Sequence, residues 1–424
     1  MANQLYTYNT AKPVTGTRKN DKNSLDVNLS SSDLQDAFGR LRTSGTAQRL
    51  DVEFLYDKQS DYFDEITTNG TVTYNVNGRD LTLSISDANN GTQAKMASYP
   101  VPYTPGNSQL VDITGVLDLA GIGGGTAEVF LRSNVTGSVV ETTIAQENWL
   151  ALRESADLDF TKSHIFSMDF QSLKVGTIRY GFVQDGVFVQ IAQINNDNTR
   201  DSGYWQIPNL PVYYDLYNSG GETFMEMGYG NADNAIGIRY KISANASATM
   251  KAICCTVKSE GGLDLQNMTG LPVSTDTGVT TKLVSTTLVP IISIKPAATF
   301  QSLENLIISL PRSISVATDQ PIKIVVIHSS ILTGASFTAV DSNTSCMEVD
   351  TSATAMSNGH EILSQYITAS GSGSKTSGSG GGLLGKKVLW NRQGTDTGIL
   401  TVAAIRTGGT DADVLVSINW EELR

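Results

Sequence analysis

Apolar and polar positions alternate with a period of two through most of the chain. Thr71-Val72-Thr73-Tyr74-Asn75-Val76 and Leu81-Thr82-Leu83-Ser84-Ile85 read as paired strands, and Asn77-Gly78 between them signals a type I′ hairpin turn. A second hairpin is expected over residues 178–194, with Asp185-Gly186 as its turn and Tyr180, Phe182, Phe188 and Val189 as its apolar matter. Ile236, Ile238, Tyr240 and Ile242 alternate cleanly, which predicts a strand with one buried face. Val414, Val416, Ile418 and Trp420 do the same at the carboxyl end, with Ser417, Asn419 and Glu421 on the opposite face. Further strands are expected at 50–54, 111–117, 250–257, 287–294, 322–327, 383–390 and 399–405. Pro290 fits such a strand only at an edge or a bulge. Helical patterning is scarce: one short helix over 360–366 and a turn over 32–38.

This texture predicts an all-β protein. A chain of 424 residues is too long for one small core, so two or three domains are expected. A hydrophobic fraction of 40% excludes general disorder, and 39 glycines suit many short strands and turns. The economical arrangement is two antiparallel β-sandwich or jelly-roll-like domains, 46–262 and 263–424, behind an extended amino-terminal arm, 1–45. Polar tracts such as Leu29-Ser30-Ser31-Ser32-Asp33 keep that arm from folding by itself. The Gly/Ser run 370–382 is expected to be a flexible loop within the second domain.

Charge narrows the partners. A formal net charge of −12 argues against nucleic-acid binding, which needs clustered Lys and Arg, and suits a protein held at high local concentration. Three cysteines, two of them adjacent at Cys254 and Cys255, do not make a disulfide framework; small buried residues are expected. Met1-Ala2-Asn3-Gln4-Leu5-Tyr6 lacks the charged start and apolar core of a signal peptide, and no window approaches the roughly 20 apolar residues of a membrane span. A soluble protein made in a cytoplasm, without membrane insertion, is the expectation.

Candidate chemistry is thin. His164, His328 and His360 are far apart, and no local His or Cys spacing forms a zinc motif. Asp157 and Asp159 would share a strand face, and Asp61, Asp64 and Glu65 make an acidic patch; a glycosidase would need two such carboxyls about 5 to 9 Å apart across a cleft. Gly121-Ile122-Gly123-Gly124-Gly125 lacks the βαβ context of a nucleotide loop. Trp149, Trp205, Trp390 and Trp420 fit core or interface packing better than sugar platforms. No catalytic residue, metal ligand or cofactor site is assigned.

The stretch that stands out is Asp36-Ala37-Phe38-Gly39-Arg40-Leu41-Arg42, between the arm and the first strand. Arg40 and Arg42 alternate with Leu41, so both can point one way while Phe38 and Leu41 find apolar contacts, and Gly39 permits a turn or a close approach. With Phe54-Leu55-Tyr56-Asp57 and Asp61-Tyr62-Phe63-Asp64 it resembles the opening of a family of virion structural proteins of tailed phages, with relatives in some large DNA viruses. Tyr103-Thr104-Pro105-Gly106-Asn107-Ser108-Gln109-Leu110, Thr136-Gly137-Ser138-Val139-Val140-Glu141-Thr142 and Leu158-Asp159-Phe160-Thr161-Lys162-Ser163 are similar to later family segments. So are Val175-Gly176-Thr177-Ile178-Arg179-Tyr180-Gly181-Phe182, Pro208-Asn209-Leu210-Pro211-Val212 and Ile253-Cys254-Cys255-Thr256-Val257-Lys258-Ser259-Glu260-Gly261-Gly262. The segments fall in the family's order over 36–262, while 118–126 replaces a longer, more polar stretch and the carboxyl half matches more loosely.

The resemblance implies a non-enzymatic virion component made in the host cytoplasm: a fibre, collar, tail or head-decoration protein. It implies a symmetric oligomer, trimer or higher, contacting other virion proteins. Asp36, Phe38, Gly39, Arg40, Leu41 and Arg42 are the expected assembly interface, ordering against a neighbouring subunit. A capsid shell subunit and a glycan-binding or depolymerising tail appendage are the alternatives, the last with a host surface glycan as partner.

Overall fold

The computed structural model describes residues 4–7, 10–15, 46–86, 89–103, 106–118, 124–150, 158–171, 175–260, 270–368, 387–392 and 398–423. The protein is all-β, and among the described residues every pairing between two named strands is antiparallel. Among the described residues the one helical element is a single 3-10 turn, Gln146–Asn148, so no helix is long and apolar enough to cross a membrane.

The strands from Ala47–Glu53 to Ala248–Ser259 form two large sheets. The seven-stranded sheet runs in the order Val140–Ala145, Thr126–Ser133, Ala235–Ile242, Glu222–Gly230, Val212–Ser219, Gln93–Ser98, Phe63–Thr68. The eight-stranded sheet runs Val187–Ile194, Ile178–Gln184, His164–Gln171, Ser108–Val116, Ala248–Ser259, Asp80–Ile85, Gly70–Asn75, and Ala47–Glu53 also pairs with Ala248–Ser259. Rings fill the space between them: Phe54, Phe63, Phe166, Phe170, Tyr180, Trp205, Tyr214 and Tyr229 are all buried. Buried tyrosines need a partner for the hydroxyl, and here they find it across the sandwich. Tyr214 donates to the Cys254 carbonyl at 2.7 Å, and Tyr180 reaches back to the Phe130 carbonyl at 2.8 Å. Gly115 allows this closeness, because a Cβ there would sit 2.5 Å from Met227 Sδ and 2.6 Å from the Lys251 carbonyl oxygen.

The second sandwich is smaller. Its four-stranded sheet centres on Ala412–Leu423, flanked by Gly270–Asp276, Lys282–Val284 and Ile308–Thr318. Its six-stranded sheet runs Thr338–Ala339, Met347–Asp350, Val289–Pro296, Leu400–Arg406, Ile322–His328, His360–Ile367. Val414, Val416, Ile418 and Trp420 face Ile292, Ile294, Ile324, Val326 and Val402 in an aliphatic core, as the alternation predicts.

The Asp185-Gly186 hairpin is present, with φ of 50° and 74° at its two turn residues, as a type I′ turn requires. Pro290 lies inside a sheet at a register shift between Pro290 and Ile292, the bulge that such a proline needs. Other expectations need correction. Asn77-Gly78 turns the chain, but not as a two-residue type I′ loop. The Asn75 side chain accepts the amides of Asn77 and Gly78 at 3.2 Å each, and the left-handed residue is Arg79, φ 53°. The helix over 360–366 is the edge strand His360–Ile367, because pairing with Ile322–His328 overrides a weak helical spacing. The strand at 383–390 reduces, among its described residues, to a single bridge between Leu389 and Ser309. The strand Ala235–Ile242 is buried on both faces, Gly237 and Arg239 included.

Candidate functional site

Arg239 is buried on the outer face of the seven-stranded sheet because that face carries its own cover. Strand register lines up Lys95, Asp215, Glu226, Arg239 and Glu128 as successive neighbours across five strands. Arg132, on the same strand as Glu128, and its register partner Glu141 on the edge strand complete the group. Arg239 reaches Glu128 at 2.5 Å, Glu141 at 2.6 Å and Glu226 at 3.3 Å; Arg132 reaches Glu141 at 2.7 Å and Glu226 at 3.2 Å. Tyr213 and Tyr217 donate to Glu226 at 3.1 and 2.9 Å, so this carboxylate takes four donors. Both guanidinium groups also lie over the Phe130 ring.

The electrostatics follow from this crowding. Burial alone would raise the Glu141 carboxyl, but hydrogen bonding to Arg239 and the Arg132 and Arg239 charges outweigh it and hold it low. Burial would lower Arg132, and Glu226, joined by Tyr213, Glu141 and Tyr217, more than reverses that. Asp215 goes the other way: burial raises its carboxyl against Lys95 at 3.1 Å, and nearby Glu226 adds to the rise. A cleft opens at the Lys95 end, lined by Asp64, Lys95, Pro211, Asn231, Glu304 and Trp390, but it holds only about 120 Å³. Small-molecule sites usually start near 300 Å³, so it has room for a few waters rather than a sugar ring.

That cleft is part of the seam between the sandwiches. Trp390 packs on Tyr99 with ring centroids 5.7 Å apart. Arg392 binds Asp64 at 2.7 Å and the Ser60 carbonyl at 2.5 Å while stacking on Trp390. Lys387 binds Asp61 at 3.1 Å, and His360 and His328 stand 3.6 and 3.9 Å from the same oxygen. Burial alone would raise the Asp61 carboxyl; Lys387, then His360 and His328, overcome that and lower it.

The predicted assembly residues Asp36, Phe38, Gly39, Arg40, Leu41 and Arg42 lie outside the described residues, as do Asp157, the glycines 121–123 and the Gly/Ser run 370–382. Asp159 sits in a turn, its carboxylate accepting the Thr161 amide and hydroxyl. Trp205, Trp390 and Trp420 are buried and Trp149 is half-buried, bonded to the Ile144 carbonyl. Cys255 and Cys346 are buried and all three cysteines are free thiols. Asp61 and Asp64, read from sequence as one acidic patch, divide between Lys387 and Arg392. The ion layer on the outer sheet was missed. Its only signal was that the charges of such strands, Glu128 and Arg132 on Thr126–Ser133 and Arg239 and Lys241 on Ala235–Ile242, share one face by parity, which also describes a solvated face.

A search of protein-family models finds no match to the chain, and a search of curated proteins finds none. Solved structures match it over about half its length. An endo-1,3-beta-glucanase from Streptomyces sioyaensis is 10% identical, covering 53% of this chain and 99% of its own, at a TM-score of 0.32. Arcelin-5, a lectin-like defence protein from Phaseolus vulgaris, is 10% identical over 51% of this chain and 99% of its own, at 0.19. The legume lectin-like domain from Entamoeba histolytica is 12% identical over 50% and 98%, at 0.20. Scores this low carry no argument about chemistry or partners.

Proposed function

We propose that the chain is a non-enzymatic structural protein of a virion. In this reading it is a fibre, collar, tail or head-decoration component that assembles as a symmetric oligomer through residues 1–45. The observation that carries the reading is how the first sandwich uses its acids. Glu226, Glu141 and Glu128 are held by arginines and tyrosines across the outer sheet face, and Asp215 by Lys95 and Gln93. A glycosidase needs one carboxyl free to protonate a leaving group and a cleft to hold the sugar. In the first sandwich the charged groups tie strands together beside a cleft too small for one, and the roomier hollow of about 300 Å³ on the second sandwich offers one carboxylate, Glu421, already bound to Arg312. Such a scaffold suits a part whose task is to keep its shape in a large assembly. The family resemblance over 36–262 supports the same reading, with Phe38 and Leu41 buried against a neighbour and Arg40 and Arg42 paired with its carboxylates.

The test is the solution mass of the full chain by light scattering, beside a chain starting at residue 46, just before the first strand of the sandwich. A defined oligomer that dissociates without residues 1–45 is expected. An oligomer that survives the deletion moves assembly to the sandwiches, and a monomer in both cases removes the self-assembly part of the proposal. Shortening of a host polysaccharide by the purified chain would overturn its non-enzymatic part.

A further inference from the structure

Two of the three histidines, 32 residues apart in sequence, meet at the seam. His328 and His360 are direct register partners on the strands Ile322–His328 and His360–Ile367. A register shift between Val326 and Ile327 precedes them, and bulges of this kind re-aim side chains. Gly359, φ 79°, brings the next strand in so closely that a Cβ there would lie 2.6 Å from the His328 carbonyl oxygen. The two rings sit edge to face with centroids 5.4 Å apart. Asp61 enters from the other sandwich on a tight turn closed by the Tyr62 amide on the Gln59 carbonyl.

We propose that Asp61, His328 and His360 form a binding site for one divalent transition-metal ion, Zn²⁺ foremost, that bridges the two sandwiches. One ligand atom from each residue lies within 4.8 Å of the others. Asp61 Oδ1 is 3.6 Å from His360 Nε2 and 3.9 Å from His328 Nδ1. Ligand bonds of 2.0 to 2.1 Å at a tetrahedral centre put neighbouring donors roughly 3.3 Å apart, so these two edges need to close by only a few tenths of an ångström. Two imidazoles and one carboxylate are a donor set for Zn²⁺, Co²⁺ or Ni²⁺ rather than for Ca²⁺ or Mg²⁺, which prefer oxygen. His328 is fully buried and so held in place, while Asp61 and His360 are about half exposed, leaving an entry path and room for water at a fourth position. The Ser329 hydroxyl, 2.7 Å from His328 Nδ1, gives up that nitrogen to the ion. Lys387 supplies the positive charge beside Asp61 without the metal and competes with it.

The experiment is calorimetric titration of the untagged full-length chain with Zn²⁺ and, separately, Co²⁺, whose visible spectrum reports nitrogen ligation. One ion per chain is expected. His360→Ala and Asp61→Asn, both at half-exposed side chains that leave the cores intact, should each weaken binding at least about tenfold. Lys387→Gln should tighten it, an effect that a merely structural lysine would not produce. Absence of saturable binding to the wild-type chain overturns the proposal. So does equal binding by His360→Ala and Asp61→Asn, or an affinity that Lys387→Gln leaves unchanged or weakens.

Discussion

The first sandwich fills its interior with rings, whereas the second, among its described residues, is packed mainly with isoleucine, valine and alanine around buried Trp420, with Phe300 partly buried against them. The polar ties differ in the same way. In the first, tyrosine hydroxyls cross the core and bond backbone carbonyls of the opposite sheet, as Tyr214 does to Cys254 and Tyr180 to Phe130. In the second, short side chains do the tying: Ser293 meets Thr401 of the neighbouring strand at 3.0 Å, and Thr401 meets Ser330, just past the strand Ile322–His328, at 2.9 Å. Buried Glu422 collects the Ser345 hydroxyl, the Cys346 amide and the Trp420 indole. A ring with a hydroxyl at its tip sets the spacing and register of two sheets together, because a shift leaves a buried hydroxyl and a carbonyl unmet. Branched aliphatics set volume but tolerate small slides. The outer faces diverge too, since among the described residues the first sandwich alone carries an interlocked layer of arginines and carboxylates.

The comparison breaks hardest at that layer. Arg239→Met should cost about 3–5 kcal/mol of first-domain stability in urea unfolding, because it removes a buried cation shared by three carboxylates, leaving buried Glu226 with Arg132 alone and Glu128 without its arginine. Loss of the more exposed Lys323–Glu361 pair of the second domain by Lys323→Met should cost under about 1 kcal/mol. A cost for Arg239→Met no larger than that would show the layer to be ornament on the sheet.

The cores can be set side by side with smaller changes. Tyr214→Phe should cost about 1–3 kcal/mol, since the Thr114 and Cys254 carbonyls lose a donor inside the sandwich. Ile292→Val in the second core should cost about 0.5–1.5 kcal/mol, the loss of one methylene. Equal costs would remove the distinction between polar-tied and volume-filled cores.

Acid should act in two steps. Asp215 is raised by burial, so its share of stability is complete below the ordinary carboxylate value and is lost as pH rises through its raised value, a change opposite in sign to that of the lowered carboxyls. Glu141 and Asp61 are lowered, so their contributions are complete above the ordinary carboxylate value near 4 and are lost as pH falls through their lower folded values. A thermal midpoint that falls below about pH 4 is expected, and Arg239→Met should flatten the fall.

Much of the strand content was legible, because a sheet with one buried face imposes a period of two wherever the chain crosses it. The final strand and the Asp185-Gly186 hairpin stood out for that reason. Where one side chain competes with a backbone pattern, as Asn75 does at its turn, or where an edge strand is barely buried, as His360–Ile367 is, local patterning misleads.

By itself the sequence determined the β class, the alternation that builds both cores, and the acidic, cysteine-poor character of the chain. Tertiary structure alone decided which charges meet. The row from Lys95 to Glu128 exists because five strands from distant parts of the chain lie in one register, and the Asp61, His328 and His360 cluster exists because two sandwiches share a seam. Alternation is a local consequence of backbone geometry and can be read along the chain. Convergence of side chains depends on strand order and domain docking, which are set by the sum of all the packing at once.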